Sequence, residues 1–243
     1  MPEHEPWLTA LFNEHAAGVA NAARSLLNLP ALEQPWSSSM SMEILVAVII
    51  ILLFAFLRSR LSMDRPGKLQ QSFEVIYDFL HAESKEHVGH DGPKHLPLFL
   101  TLFIFILFAN LVGVIPTLES PTMFAEVPAG IALLAFVYYN IQGFREQGIG
   151  KYLAHFAGPM PILAPLMIPI ELVSHMARPL SLTIRLYANM LAGEKVTVVF
   201  LSITYLAAPA LFMGLHVFVS FLQAYIFALM TMMYVAGAVA HEH

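Results

Sequence analysis

The run VAVIIILLFAFL, residues 46–57, contains no side chain able to donate or accept a hydrogen bond. It ends a longer apolar stretch, residues 38–57, that matches the roughly 20 residues an α-helix needs to cross the hydrocarbon core of a bilayer. In hydrocarbon the backbone has no water to bond, so an isolated apolar segment can only be helical. Comparable stretches follow at 96–115, LPLFLTLFIFILFANLVGVI, and at 123–141. Of the 243 residues, 58% are hydrophobic and 12% are charged. Soluble domains carry about a quarter charged residues. The fold class implied is an all-α polytopic membrane protein.

Two further apolar stretches, 160–193 and 196–240, are too long. At about 1.5 Å per residue they reach roughly 50 and 65 Å, against a core of about 30 Å. They are expected to form a long C-terminal hairpin, strongly tilted or bent, with Pro165, Pro169, Pro179 and Pro209 available for bending. The turn is expected at Gly193–Glu194. Five spans result, in one integral membrane domain covering residues 1–243, with residues 1–37 as an N-terminal extracytoplasmic segment.

Orientation follows from the cations. Of twelve Lys and Arg, eight fall in two segments: Arg58, Arg60, Arg65, Lys68, Lys85 and Lys94, then Arg145 and Lys151. The connection 116–122 has none and carries Glu119. Basic segments stay cytoplasmic, which places the N-terminus outside and the terminal HEH inside. The start MPEHEPWLTALFNEH lacks a basic segment followed by an apolar one, and Arg24 alone precedes residue 58, so no signal or transit peptide is expected. The net charge of −5 suggests no nucleic-acid partner. The absence of cysteine excludes disulfides and thiolate chemistry.

Two stretches have amphipathic character. In residues 67–86, Leu69, Phe73, Ile76, Tyr77 and Leu80 share a helical face; in 143–156, Phe144, Tyr152 and Phe156 do so. Both read as interfacial helices or as loops packed on a partner subunit. Asn110 stands alone in the second span and suits an inter-helix hydrogen bond. His81, His87, His90 and His95 match no zinc spacing and read as a solvated loop. No HExxH, GxSxG or P-loop is present, so no cofactor, metal or bond-making chemistry is indicated.

The polar residues at membrane depth are the informative ones. Arg178 and Lys195 can reach the interface along their own stems. Arg185 has apolar flanks for more than a turn on each side. A charge there is costly and points to function. At about 100° per residue, Glu171, Ser174, His175, Arg178, Arg185 and Asn189 share one stripe of the fourth span. His216, Ser220 and Gln223, continued by Met230 and Tyr234, form a second on the fifth. The stripes read either as structural hydrogen bonds between helices or as an ion pathway.

The segment RPLSLTIRLYANMLAGE, residues 178–194, together with FANLVGVIP (108–116), PIELVSHMARP (169–179) and HVFVSFLQAYIFALMTMMYV (216–235), resembles the a-subunit family of F-type ATP synthases. The likeness covers most of the chain from about residue 40. It implies a stator subunit in a bacterial inner membrane, beside a ring of c subunits and held by the b-subunit peripheral stalk of the complex. It implies two offset proton half-channels and no catalytic chemistry of the chain itself. Arg185 takes the position of the family's arginine facing the c-ring carboxylate, with Asn189 one turn away. Glu194, His216 and Gln223 match the periplasm-side path, and Glu171 and Ser174 the cytoplasm-side path. His175 departs from the pattern and has no assigned role. A secondary ion transporter, an intramembrane hydrolase and a sodium-translocating form of the same subunit are the alternatives. A transporter would show repeats, a hydrolase would not explain Arg185, and a titratable imidazole favours protons over sodium.

Overall fold

The computed structural model describes residues 7–239 apart from 27, 29, 64, 116–117, 149, 153–163 and 204–206. Among these, every regular element is helical: α1 (Trp7–His15), α2 (Ala17–Leu26), α3 (Ser38–Ser59), α4 (Lys68–Val88), α5 (Gly92–Val112), α6 (Glu126–Gln147), α7 (Ala164–Ile203) and α8 (Ala207–Val239), with short 3₁₀ turns at Gly89–Asp91 and Pro121–Met123. The chain is an all-α polytopic membrane protein. By length and apolarity, α3, the run Lys68–Val112 that holds α4 and α5, α6 and the part of α8 from Leu211 qualify as membrane spans among the described residues. The fourth expected span lies in α7, which is 40 residues long. Its polar stripe keeps it from qualifying on apolarity.

The expected stretch 38–57 lies inside α3, whereas 96–115 runs three residues past the end of α5 and 123–141 begins three residues before α6. The hairpin differs from expectation. No turn occurs at Gly193–Glu194, because α7 runs through both to Ile203. A lone glycine weakens a helix by only about 1 kcal/mol, which the packing of α7 against α6 and α8 outweighs. Pro169 and Pro179 also lie inside the continuous helix. Pro209 is in the first turn of α8, where no intrahelical N–H bond is lost. Residues 160–163 and the terminal His241 and His243 lie outside the described residues.

The centre of the bundle is α8, which packs on α4, α5, α6 and α7. Its buried Ala224, Phe227, Ala228, Met232 and Val235 recur at helical spacing and meet Phe99, Phe103 and Ile106 of α5, Ala132, Ala135 and Tyr139 of α6, and Leu182, Leu186 and Met190 of α7. The alanines let the backbones approach closely. By contrast α3 is peripheral. It touches α5, where Val46 packs on Ala109 and Val112.

The amphipathic face of α4 is divided by this packing. Leu80 is fully buried and Phe73 and Ile76 pack on the core, whereas Leu69 and Tyr77 stay about half exposed. The reversal into α5 passes Gly89, whose φ of +82° suits glycine. In the second amphipathic stretch, Phe144 belongs to the last turn of α6, and Tyr152 folds back against it with ring centroids 4.8 Å apart; Phe156 lies outside the described residues. The histidine-rich segment is a helical connection and not a solvated loop. His95 is buried, and its Nδ1 lies 2.8 Å from the Tyr138 hydroxyl.

Polar ties mark the two ends of the bundle. At one, Lys94 meets Glu146 at 2.6 Å, and Gln147 donates to the Ala238 carbonyl at 2.9 Å. This end gathers the start of α5 and the ends of α6 and α8. At the other, Ser39 donates to Glu126 at 2.9 Å, joining the starts of α3 and α6. Residues 7–36, which the sequence left unassigned beyond their outside location, form two short helices closed by asparagine clamps. Asn13 bonds the Trp36 backbone in both directions, at 3.2 and 3.0 Å. Asn21 does the same for Leu32, at 3.0 and 3.1 Å.

Candidate functional site

The register of the hairpin decides which polar side chains meet. α7 ends at Ile203 and α8 begins at Ala207, so Glu194 lies about as far before the reversal as His216 lies after it. The two come level by their distance from the reversal alone. Any kink near Pro209, or any steep tilt, is unnecessary for that approach. Gly193 faces His216: a methyl in place of its hydrogen would sit at van der Waals distance, 3.5 Å, from His216 Nδ1. Further along, Phe200 stacks on Phe212 at 4.2 Å, and Asn189 donates to Gln223 Oε1 at 2.9 Å.

Arg185, Asn189, Gly193, His216 and Gln223 line one cavity of about 430 Å³ between α7 and α8, closed by Phe212, Leu215, Leu222 and Ile226. Beside it α5 contributes Asn110, and the connection from α5 to α6 contributes Glu119, Ser120 and Thr122. Thr122 donates to Asn110 Oδ1 at 2.6 Å, and Ser120 to the Ala109 carbonyl at 3.0 Å. The partner of Asn110 is thus a 3₁₀ turn and not another span. His216 abuts the Asn110 backbone, and Glu119 lies near Glu194.

This region is under-satisfied. Asn110 Nδ2, Glu194 Oε2, His216 Nε2, Ser220 Oγ and Gln223 Nε2 are buried with no protein hydrogen-bond partner. Each such group costs about 1–3 kcal/mol unless water or another group bonds it. Native proteins meet that need with ordered water in polar cavities. Five atoms from α5, α7 and α8 converging on one region can line a hydrated path.

Arg185 stands at the edge of the cavity. Among the described residues no carboxylate pairs with it; its bond is a long one, 3.5 Å from Nη2 to Ser181 Oγ. Around it the hairpin surface is apolar and open, with Leu180 59%, Ile184 53% and Phe218 61% exposed.

The remaining residues of the α7 stripe form a separate group. Arg178 lies 3.7 Å from Glu171 Oε1 and 5.5 Å from the Tyr234 ring centroid. His175 is buried between Phe136 and Tyr139. Its Nε2 lies 3.0 Å from Asn140 Oδ1, which also accepts from the Tyr152 hydroxyl at 2.9 Å. Ser174 is exposed and does not join this group. Along α7 the buried Leu182 and Leu186 separate the two groups. The residues that sequence reasoning missed are Asn140, Tyr139 and Tyr152, together with Ser120 and Thr122. An amide within the third apolar stretch was the available signal for Asn140. The hydroxyls carried none.

The family ATP synthase A chain matches residues 40–236. The chain is 65% identical over 233 residues to ATP synthase subunit a of Solibacter usitatus, covering 96% of this chain and 100% of that one. It is 44% identical over 242 residues to ATP synthase subunit a of Koribacter versatilis, with 99% of both covered. To ATP synthase subunit a of Aquifex aeolicus it is 36% identical over 207 residues, covering 82% and 95%.

Proposed function

The chain belongs to the ATP synthase A chain family, and from that premise we propose that it couples proton movement to rotation of a c ring in the membrane sector. Its general role is that of the family, ion transport in ATP synthesis. The finer reading rests on one observation: His216 and Gln223, each with a buried polar atom that has no protein partner, line the same cavity as Arg185, which among the described residues has no counter-ion.

Glu194, His216, Asn189 and Gln223 line the outer half-channel, where water and titratable groups pass a proton inward. Glu171 and Ser174 line the inner one. Leu182 and Leu186 keep the two apart. Arg185 faces the ring from the open apolar surface of the hairpin. Its guanidinium attracts a deprotonated carboxylate and releases it when a proton returns. The same fixed charge repels a proton that would cross directly, an effect strengthened by low dielectric. Lysine could shed its charge in such a place and arginine does not. A proton moving down the membrane potential supplies about 2.3 kcal/mol per 100 mV.

The chain itself makes no bonds. Its partners are the c ring, the b-subunit stalk and the rest of the complex in a bacterial inner membrane. The N-terminus lies outside and the C-terminus inside. Protons are favoured over sodium because a buried imidazole sits in the path.

The test is Arg185→Ala in the assembled complex. ATP-driven acidification of inverted vesicles should fall to background while the complex still assembles, and Arg185→Lys should do nearly the same. Normal acidification by Arg185→Ala would reject the reading.

A further inference from the structure

We propose that the groove between α3, α4 and α5 binds an anionic phospholipid, with the acyl chains between the helices and the phosphate at the cations of residues 58–68. α3 packs on α5 through Val46, Ala109 and Val112, and further along the pair α4 faces both. The result is a cavity of about 670 Å³. Its walls are Ile50, Ile51 and Phe54 of α3, Phe73 and Ile76 of α4, and Leu100 and Ile104 of α5. Phe54 and Phe73 meet across it at 5.2 Å. Such a wall suits hydrocarbon.

The mouth supplies charge complementarity. Leu57, Leu61 and Gln70 line the groove, and the segment between them carries Arg58, Arg60, Arg65 and Lys68, all exposed, against the single acid Asp64. Four cations directly after a membrane helix form an electrostatic site for anionic lipid. The segment is also held in place. Gln70 accepts from the Ser62 amide at 3.1 Å and donates to the Ser62 carbonyl at 3.1 Å. Leu61 and Met63 project from it, 60% and 101% exposed, as side chains entering an interface do. The single acid lining the groove, Glu74, accepts from Gln70 at 2.8 Å. A zwitterionic lipid would fill the groove equally well but would offer the cations no net charge. The site is independent of the ion path, since none of these residues belongs to it.

The experiment uses the whole ATP synthase complex reconstituted in equal parts phosphatidylglycerol and phosphatidylcholine. A photo-crosslinking residue replaces Leu61, and adducts are identified by mass. The expected product is a phosphatidylglycerol adduct. Its excess over phosphatidylcholine should fall about tenfold when Arg60, Arg65 and Lys68 are all changed to Gln. In unchanged protein the excess should also fall at 1 M salt, where screening acts within about 3 Å. Ile51→Trp, which fills the groove from an exposed position, should abolish the adduct while proton pumping persists. A polypeptide adduct would assign the groove to another subunit. Equal capture of both lipids would mean simple apolar solvation. An adduct that survives Ile51→Trp would mean surface attraction only. Each of these three results overturns the proposal.

Discussion

Two polar groups lie along α7, and they are built oppositely. Around Glu171, His175 and Arg178 the polar atoms are largely saturated: cation meets carboxylate, and imidazole and phenol share the Asn140 oxygen. There, among the described residues, Tyr139 Oη alone lacks a well-formed hydrogen bond, although Asn140 and Arg178 lie beside it. Around Glu194, His216 and Gln223 five buried atoms lack a protein partner. The same residue types therefore serve two ends. A saturated set holds helices in register, because breaking any bond strands a partner. An under-satisfied set takes up water and can pass a proton along it. The difference also gives His175 a place that the sequence did not: it ties α7 to α6.

The sharpest way to break the comparison is at the outer group. Glu194→Leu or His216→Leu should lower ATP-driven proton pumping on the order of a hundredfold, the scale of losing a positioned acid or base. Thermal unfolding of the complex should change little, since Glu194 Oε2 and His216 Nε2 have no protein partner and the imidazole gives up only its contact with the Asn110 backbone. A loss of stability with pumping intact would make the outer group structural.

Asn140→Leu should behave in the reverse manner. It leaves His175 and Tyr152 without their shared acceptor, at a cost of about 1–3 kcal/mol. The melting temperature should fall, and pumping by the folded fraction should drop by less than about tenfold, below the range for a lost acid or base. Abolished pumping at unchanged stability would place the proton path through His175.

Exchange of groups sharpens the outer path further. Glu194 and His216 lie level across the hairpin, so Glu194→His with His216→Glu should pump several-fold better than either single change, within the roughly 1–2 kcal/mol typical of coupled neighbours. Additive losses would show independent sites. The smallest effect is expected at Thr122→Val. It removes the donor to Asn110 Oδ1, costs about 1 kcal/mol, and should alter pumping less than about twofold, as read in the same vesicle assay.

Hydrophobic length and cation placement are local properties, so the sequence alone determined the helical membrane class, the first three spans and the identity of Arg185 as a charge stranded among apolar residues. The clustering of Lys and Arg at one end of the spans was equally legible. The turn of the hairpin was not. Gly193 and Glu194 look like a stop signal in one dimension, but contact with α6 and α8 carries the helix on to Ile203. That shift of about ten residues is what sets Gly193 against His216 and Asn189 beside Gln223, because in an antiparallel pair the position of the reversal fixes every partner. Helical periodicity put six polar residues on one stripe of α7. It could not tell which of them would be saturated, since Asn140 and Tyr152 reach His175 only through the packing of α6 against α7. Whether a buried polar atom is bonded or left to water depends on partners distant in the chain, and so the tertiary structure alone decided which group holds and which conducts.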